Sequence, residues 1–158
     1  MKTPRAYQQL CIDRGIRQNL LIADQCGLGK TLEACYVAKG LVAQLNKPVL
    51  IIAPNETVKL QWRAELTDCG FENVYWLDSR DKQLDVFLTI NPAGVVLTHY
   101  EAMVKHLAWL KSLYFSIIIA DEAHRIKNRK AKRSVAIKQL KSYRRMALTG
   151  TPYDKDPS

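Results

Sequence analysis

The sequence predicts a three-layer α/β/α sandwich built on a mostly parallel sheet. Three observations predict it. Val49 to Ala53, Gly94 to Thr98 and Phe115 to Ala120 are continuous apolar runs with β-branched character, the pattern of strands covered on both faces. Segments with helical spacing alternate with these runs, the rhythm of strand–helix–strand units. The residues with chemical promise cluster just after the runs, at the carboxyl ends of strands, where ligands bind in open α/β sheets.

In chain order, Thr3-Pro4 opens a short helix that Gly15 closes. Leu20 to Ala23 is a buried strand. A helix over Lys30 to Leu45 follows, with Ala34, Val37, Ala38, Leu41 and Leu45 at helical spacing, and Asn46-Lys47-Pro48 stops it. After the Val49 to Ala53 strand, Asn55 caps a helix from Glu56 to Leu66 that presents Val58, Trp62 and Leu66 on one face, with Trp62 in the core. Asn73 to Leu77 is a short strand, and Leu84 to Ile90 fits either strand or helix. The Gly94 to Thr98 strand leads into a helix over Tyr100 to Leu110. His99, His106 and Trp109 read as packed or solvated side chains rather than ligands. The Phe115 to Ala120 strand precedes a helix over Ala131 to Leu140 and a last strand from Arg144 to Leu148.

Between the first strand and the first long helix lies Ala23-Asp24-Gln25-Cys26-Gly27-Leu28-Gly29-Lys30-Thr31, the layout of a phosphate-binding P-loop. Gly27 and Gly29 let the backbone curl so that its N–H groups face an anion, and the helix adds its positive end. Lys30 would neutralise terminal phosphates, and the Thr31 hydroxyl would take a place on Mg²⁺. The strict pattern places Gly where this chain has Asp24. The second half of the chemistry is Asp121-Glu122, at the tip of the most apolar strand. A hard carboxylate there suits Mg²⁺, directly or through its waters, which assigns the metal to Asp121. Its neighbour Glu122 is placed to deprotonate an attacking water.

Composition sets the frame. At 158 residues, 47% hydrophobic and 25% charged, the chain fits one globular domain, residues 1–158, with a proper core. Its apolar runs are far too short to cross a bilayer, and its start has no signal-peptide core, so no membrane partner is expected and the setting is intracellular, cytoplasmic or nuclear. Cys11, Cys26, Cys35 and Cys69 show no metal-ligand spacing and read as reduced, mostly buried thiols. The net charge of +9 is unevenly spread: Ala123 to Tyr153 holds ten basic residues and no acidic one, whereas the rest has 14 basic against 15 acidic. Such an uncompensated basic face is a footprint for a polyanion, most simply nucleic acid.

Leu28-Gly29-Lys30-Thr31 preceded by Asp24, Asp121-Glu122-Ala123-His124-Arg125-Ile126-Lys127-Asn128, and Leu148-Thr149-Gly150-Thr151-Pro152 together resemble motifs I, II and III of the Swi/Snf-type helicases of superfamily two. Order and spacing match over nearly the whole chain. That family tolerates Asp at the first P-loop position, although its usual Asp-Glu-Met is Asp24-Gln25-Cys26 here. The resemblance implies a RecA-like P-loop NTPase lobe that uses ATP and Mg²⁺ and works on DNA, double-stranded in this family. It implies that Gln8, within Arg5-Ala6-Tyr7-Gln8, bonds adenine. It assigns Asn55 after Ala53-Pro54, in a run reaching Gln61-Trp62, and Thr98 in Thr98-His99-Tyr100-Glu101, to a nucleic-acid backbone. Lys127, Arg129 and Lys130 would add phosphate contacts. His124, Thr149 and Thr151 would couple the γ-phosphate to that groove.

The resemblance also implies a second RecA-like lobe, in cis or in trans, with arginine fingers that contribute about 10³ to 10⁵ in rate. The chain carries no such lobe, so as an isolated ATP hydrolase it is expected to be weak. A standalone nucleic-acid or partner-binding module, and a lobe of a restriction-type translocase subunit, remain open alternatives.

Overall fold

The computed structural model describes residues 13–14, 16–17, 20–22, 30–78, 83–121 and 131–148. They form one six-stranded sheet, every pairing parallel, in the order β1-β6-β5-β2-β4-β3. The strands are β1 (Leu20–Ile22), β2 (Val49–Ala53), β3 (Val74–Trp76), β4 (Val95–His99), β5 (Tyr114–Asp121) and β6 (Lys141–Leu148). The helices are α1 (Lys30–Leu45), α2 (Glu56–Asp68), α3 (Leu84–Ile90), α4 (Tyr100–Lys105), α5 (Leu107–Leu110) and α6 (Ala131–Lys138).

The apolar runs are continuous because both faces of the sheet are covered. Val49, Ile51, Ala53, Val95, Leu97, Ile117 and Ile119 pack with Ala34, Val37, Ala38 and Leu41 of α1 and with Trp62 and Leu66 of α2. On the opposite face Leu50, Ile52, Val96 and Ile118 pack with Leu84 of α3, Met103 of α4, Leu110 of α5 and Ala136 of α6. This is the expected three-layer sandwich.

Asn55 caps α2 as expected, its Oδ1 accepting from Val58 N at 2.9 Å. The helix runs past Leu66 to Asp68 because its stop is Gly70, at φ 92°. Phe71 N–H bonds Leu66 O and Gly70 N–H bonds Thr67 O, both satisfying carbonyls that the helix end would otherwise orphan. Leu84 to Ile90 is helical. Tyr100 to Leu110 is two short helices rather than one, with a turn at His106, whose imidazole Nε2 donates to Asp78 O at 2.8 Å. Asp13, Arg14, Ile16 and Arg17 are helical, while the expected helix start at Thr3-Pro4 and stop at Gly15 lie outside the described residues. α6 ends at Lys138, two residues short of expectation, because β6 already begins at Lys141.

Gly94 marks a close approach: a Cβ there would lie 2.6 Å from Phe87 Cζ, against a ring that packs tilted on Tyr75. At Gly40 in α1 the corresponding neighbour is only the flexible tip of Ile16. Gly94→Ala is therefore expected to destabilise the chain by about 1–3 kcal/mol, whereas Gly40→Ala gains helix propensity and stays within about 1 kcal/mol of the parent; urea unfolding of the two variants checks this.

Candidate functional site

Parallel register lines up one edge of the sheet. Ile22 of β1 faces Leu148 of β6, Leu148 faces Asp121 of β5, and Ala53 of β2 faces His99 of β4, with Ile52 beside Ala120. The carboxyl ends of these five strands thus share a line, with Asp121 at the end of β5, Thr98 near the end of β4 and Asn55 two residues after β2. α1 begins at Lys30, with Thr31 partly exposed in its first turn, and packs against β5. Gln8, Gly27, Gly29, Glu122, His124, Lys127, Arg129, Lys130, Thr149 and Thr151 lie outside the described residues.

Asp121 closes β5 and is held from two sides. The indole Nε1–H of Trp62 donates to its Oδ2 at 2.8 Å, and the Tyr100 hydroxyl donates to its backbone carbonyl at 2.7 Å. Trp62 belongs to the core, as expected, but its polar edge serves the site. A buried indole N–H needs an acceptor, which is the signal that could have linked it to a carboxylate. Among the described residues no group of three or more His, Cys, Asp or Glu could hold a metal ion. One carboxylate and one hydroxyl suit Mg²⁺, which keeps several waters and takes phosphate oxygens as its remaining ligands.

Thr98 is not available to a ligand at the surface. Its side chain is fully buried, and its hydroxyl donates to Leu77 O at 3.2 Å. The same carbonyl accepts from Lys59 Nζ at 2.9 Å. Lys59, which helical spacing puts on the Trp62 and Leu66 face, is wholly buried with its ammonium 4.2 Å from the centre of the Trp76 ring. Its Nζ lies 3.3 Å from His99 Nδ1, which is also 3.3 Å from Glu56 Oε2. Nδ1 accepts from Lys59 when bare and donates to Glu56 when protonated, so one proton decides between the two partners. Burial lowers the Lys59 ammonium from its ordinary range, partly offset by Glu56 and Asp78. Burial and then the Lys59 charge lower His99, with Glu56, Glu101 and Asp78 pulling the other way.

Within the basic tail, Arg144 and Arg145 do not share a face. Successive residues of a strand point to opposite sides, and the two arginines in β6 use that alternation. Arg144 donates from Nε to Ile16 O at 3.1 Å and from Nη2 to Arg17 O at 2.7 Å. Arg145 donates to Ile137 O at 3.0 Å and to Leu140 O, at the end of α6. Each guanidinium therefore satisfies main-chain carbonyls at a helical segment instead of standing free for a polyanion. Arg133 lies over the Tyr100 ring, its guanidinium 5.3 Å from the centre, and Lys138 and Lys141 are exposed.

The sheet order, the parallel pairing and a carboxylate at the tip of β5 define a RecA-like α/β lobe. A protein-family model described as SNF2-related domain matches residues 10–158, and the chain belongs to that family. It is 32% identical over 150 residues to the DNA repair and recombination protein RAD54B of Gallus gallus, covering 89% of this chain and 16% of that protein. It is 37% identical over 139 residues to the ISWI chromatin-remodeling complex ATPase ISW2 of Saccharomyces cerevisiae, covering 84% of this chain and 12% of that protein. Among solved structures, the Sulfolobus solfataricus SWI2/SNF2 ATPase core in complex with dsDNA superposes with a TM-score of 0.79 at 28% identity, over 98% of this chain and 33% of that one. The UvsW helicase of bacteriophage T4 matches the fold, with a TM-score of 0.72 at 20% identity over 98% of this chain and 55% of that one. The chain thus spans a small part of its curated relatives. No helix among the described residues is long and apolar enough to cross a membrane.

The His99 geometry predicts a pH response of the fold. A base whose folded pKa lies below its ordinary value of 6.5 binds protons more readily when unfolded. Its contribution to stability is therefore complete above pH 6.5 and is lost as pH falls through the folded value. The melting temperature should drop between pH 7 and pH 5, and His99→Gln, which keeps an acceptor for Lys59 without titrating, should flatten that slope; thermal melts across the range check it.

Proposed function

We propose that this chain is the N-terminal ATP-binding lobe of a DNA-dependent ATPase of the Swi/Snf type, coupling ATP hydrolysis to movement on DNA once a second RecA-like lobe completes the site. The observation that carries the reading is Asp121 at the tip of β5, beside the carboxyl end of β6 and level through it with that of β1, in a chain matched to the SNF2-related domain from residue 10 to 158. In this reading Gln8 bonds adenine, while the backbone at Gly27 and Gly29 and the ammonium of Lys30 hold the phosphates. Thr31 and Asp121 would hold Mg²⁺, which when bound neutralises charge on the phosphates. Glu122 orients the attacking water and accepts its proton. His124, Thr149 and Thr151 couple that site to DNA, which Asn55, Lys127, Arg129 and Lys130 contact through its backbone. Two lobes closing and opening would supply the movement. Such a protein works where DNA is, inside the cell.

The test is ATP binding and hydrolysis by the purified chain, with and without duplex DNA, alone and joined to a second lobe. The chain alone should bind Mg²⁺–ATP and turn over very slowly. In the joined protein, Lys30→Ala should weaken ATP binding, and Glu122→Gln should keep binding while cutting DNA-stimulated turnover by about 10² to 10⁴. Turnover unchanged by Glu122→Gln would overturn the assignment. DNA affinity should fall steeply with salt, and alanine at Lys127, Arg129 or Lys130 should each reduce the log–log slope by about 0.9. Alanine at Arg144 or Arg145 should lower stability and leave that slope unchanged.

A further inference from the structure

Trp62 and Tyr100 stand on different elements and different faces of the sheet, in α2 and at the start of α4, yet both spend their polar group on Asp121. Each is only 1% exposed. Packing alone would be served as well by apolar rings, so the two donors are the informative part. One fixes the carboxylate through Oδ2, and the other fixes the backbone carbonyl of the same residue. Together they restrain both the position of Asp121 at the strand end and the direction of its Oδ2. A carboxylate offers about four acceptor sites, so a donor on Oδ2 orients the group without consuming its capacity to ligate. A hydrogen bond from N–H to an ionised carboxylate is also stronger than a neutral one.

We propose that Trp62 and Tyr100 are positioning residues that pre-set the Asp121 carboxylate for the Mg²⁺ of a bound nucleotide. The inference rests on the proposed assignment of Asp121 to Mg²⁺. Neither residue is placed to touch the nucleotide; each acts through Asp121. Tyr100→Phe removes one oxygen and keeps the ring, and Trp62→Phe removes the indole N–H at the cost of some volume.

The experiment is ATP affinity of the chain by calorimetry, measured in EDTA and again in Mg²⁺, with thermal melts of each variant. In the parent, Mg²⁺ should tighten ATP binding. Tyr100→Phe and Trp62→Phe should leave the EDTA affinity within about twofold and lose about three- to tenfold of the Mg²⁺ gain, the worth of one hydrogen bond. A purely structural role would lower melting temperature and weaken both affinities alike, leaving their ratio at the parent value, and that result overturns the proposal. Should Trp62→Phe fail to fold, the ratio for Tyr100→Phe decides alone. Asp121→Asn separates the metal assignment from the positioning role. If it leaves the Mg²⁺ gain intact, the assignment of Asp121 fails and the positioning role with it; if it abolishes the gain while the two aromatic variants retain it, only the positioning role fails.

Discussion

Parallel pairing along β5 is the constraint on which the site depends. β5 is flanked by β2 and β6, and its register places Asp121 level with Leu148 and, through β6, with Ile22. Parallel strands need both faces buried, so this line of carboxyl ends exists only because α1 and α2 cover one side and α3 to α6 the other. The opposite end of β5 is pinned as well. Ser116 is buried, its hydroxyl donating to Lys47 O at 2.6 Å and its amide to Pro48 O at 2.7 Å. A polar residue in the most apolar strand therefore ties the start of β2 to β5.

A second constraint is the buried ammonium of Lys59. A charge taken out of water is costly unless its donors are used, and here the Leu77 carbonyl, the His99 ring, the Trp76 face and, at 3.9 Å, Glu56 surround it. These groups come from α2, from the end of β3 and from the end of β4. The ammonium thus ties α2 to the ends of β3 and β4 beneath the surface, one helical turn from Asn55, which is proposed to face DNA.

Much of the architecture was legible because burial writes itself into composition. The apolar runs at Val49, Gly94 and Phe115 gave strands to within about one residue, and the spacing in Lys30 to Leu45 gave α1 with its observed ends. The motif residues pointed to one edge of the sheet, and the register of β1, β6 and β5 brings the strand ends before them together. What one dimension hides is pairing across space. Nothing local says that Trp62 meets Asp121, 59 residues away, or that Thr98 turns its hydroxyl inward to Leu77. Charge counting failed for Arg144 and Arg145 for the same reason: it sees a basic tract, while carbonyls outside β6 take donors from both guanidinium groups.

That arginine pair gives β6 an unusual intolerance. Because neighbours on a strand face opposite ways, Arg144 serves the helical segment at Ile16 and Arg17 while Arg145 serves the end of α6. Inserting or deleting a single residue between Lys141 and Arg144 would exchange the two arginines' sides and strand both guanidinium groups among the wrong neighbours. The dipeptide acts as a reading frame for the sheet, fixing which side of β6 belongs to which layer.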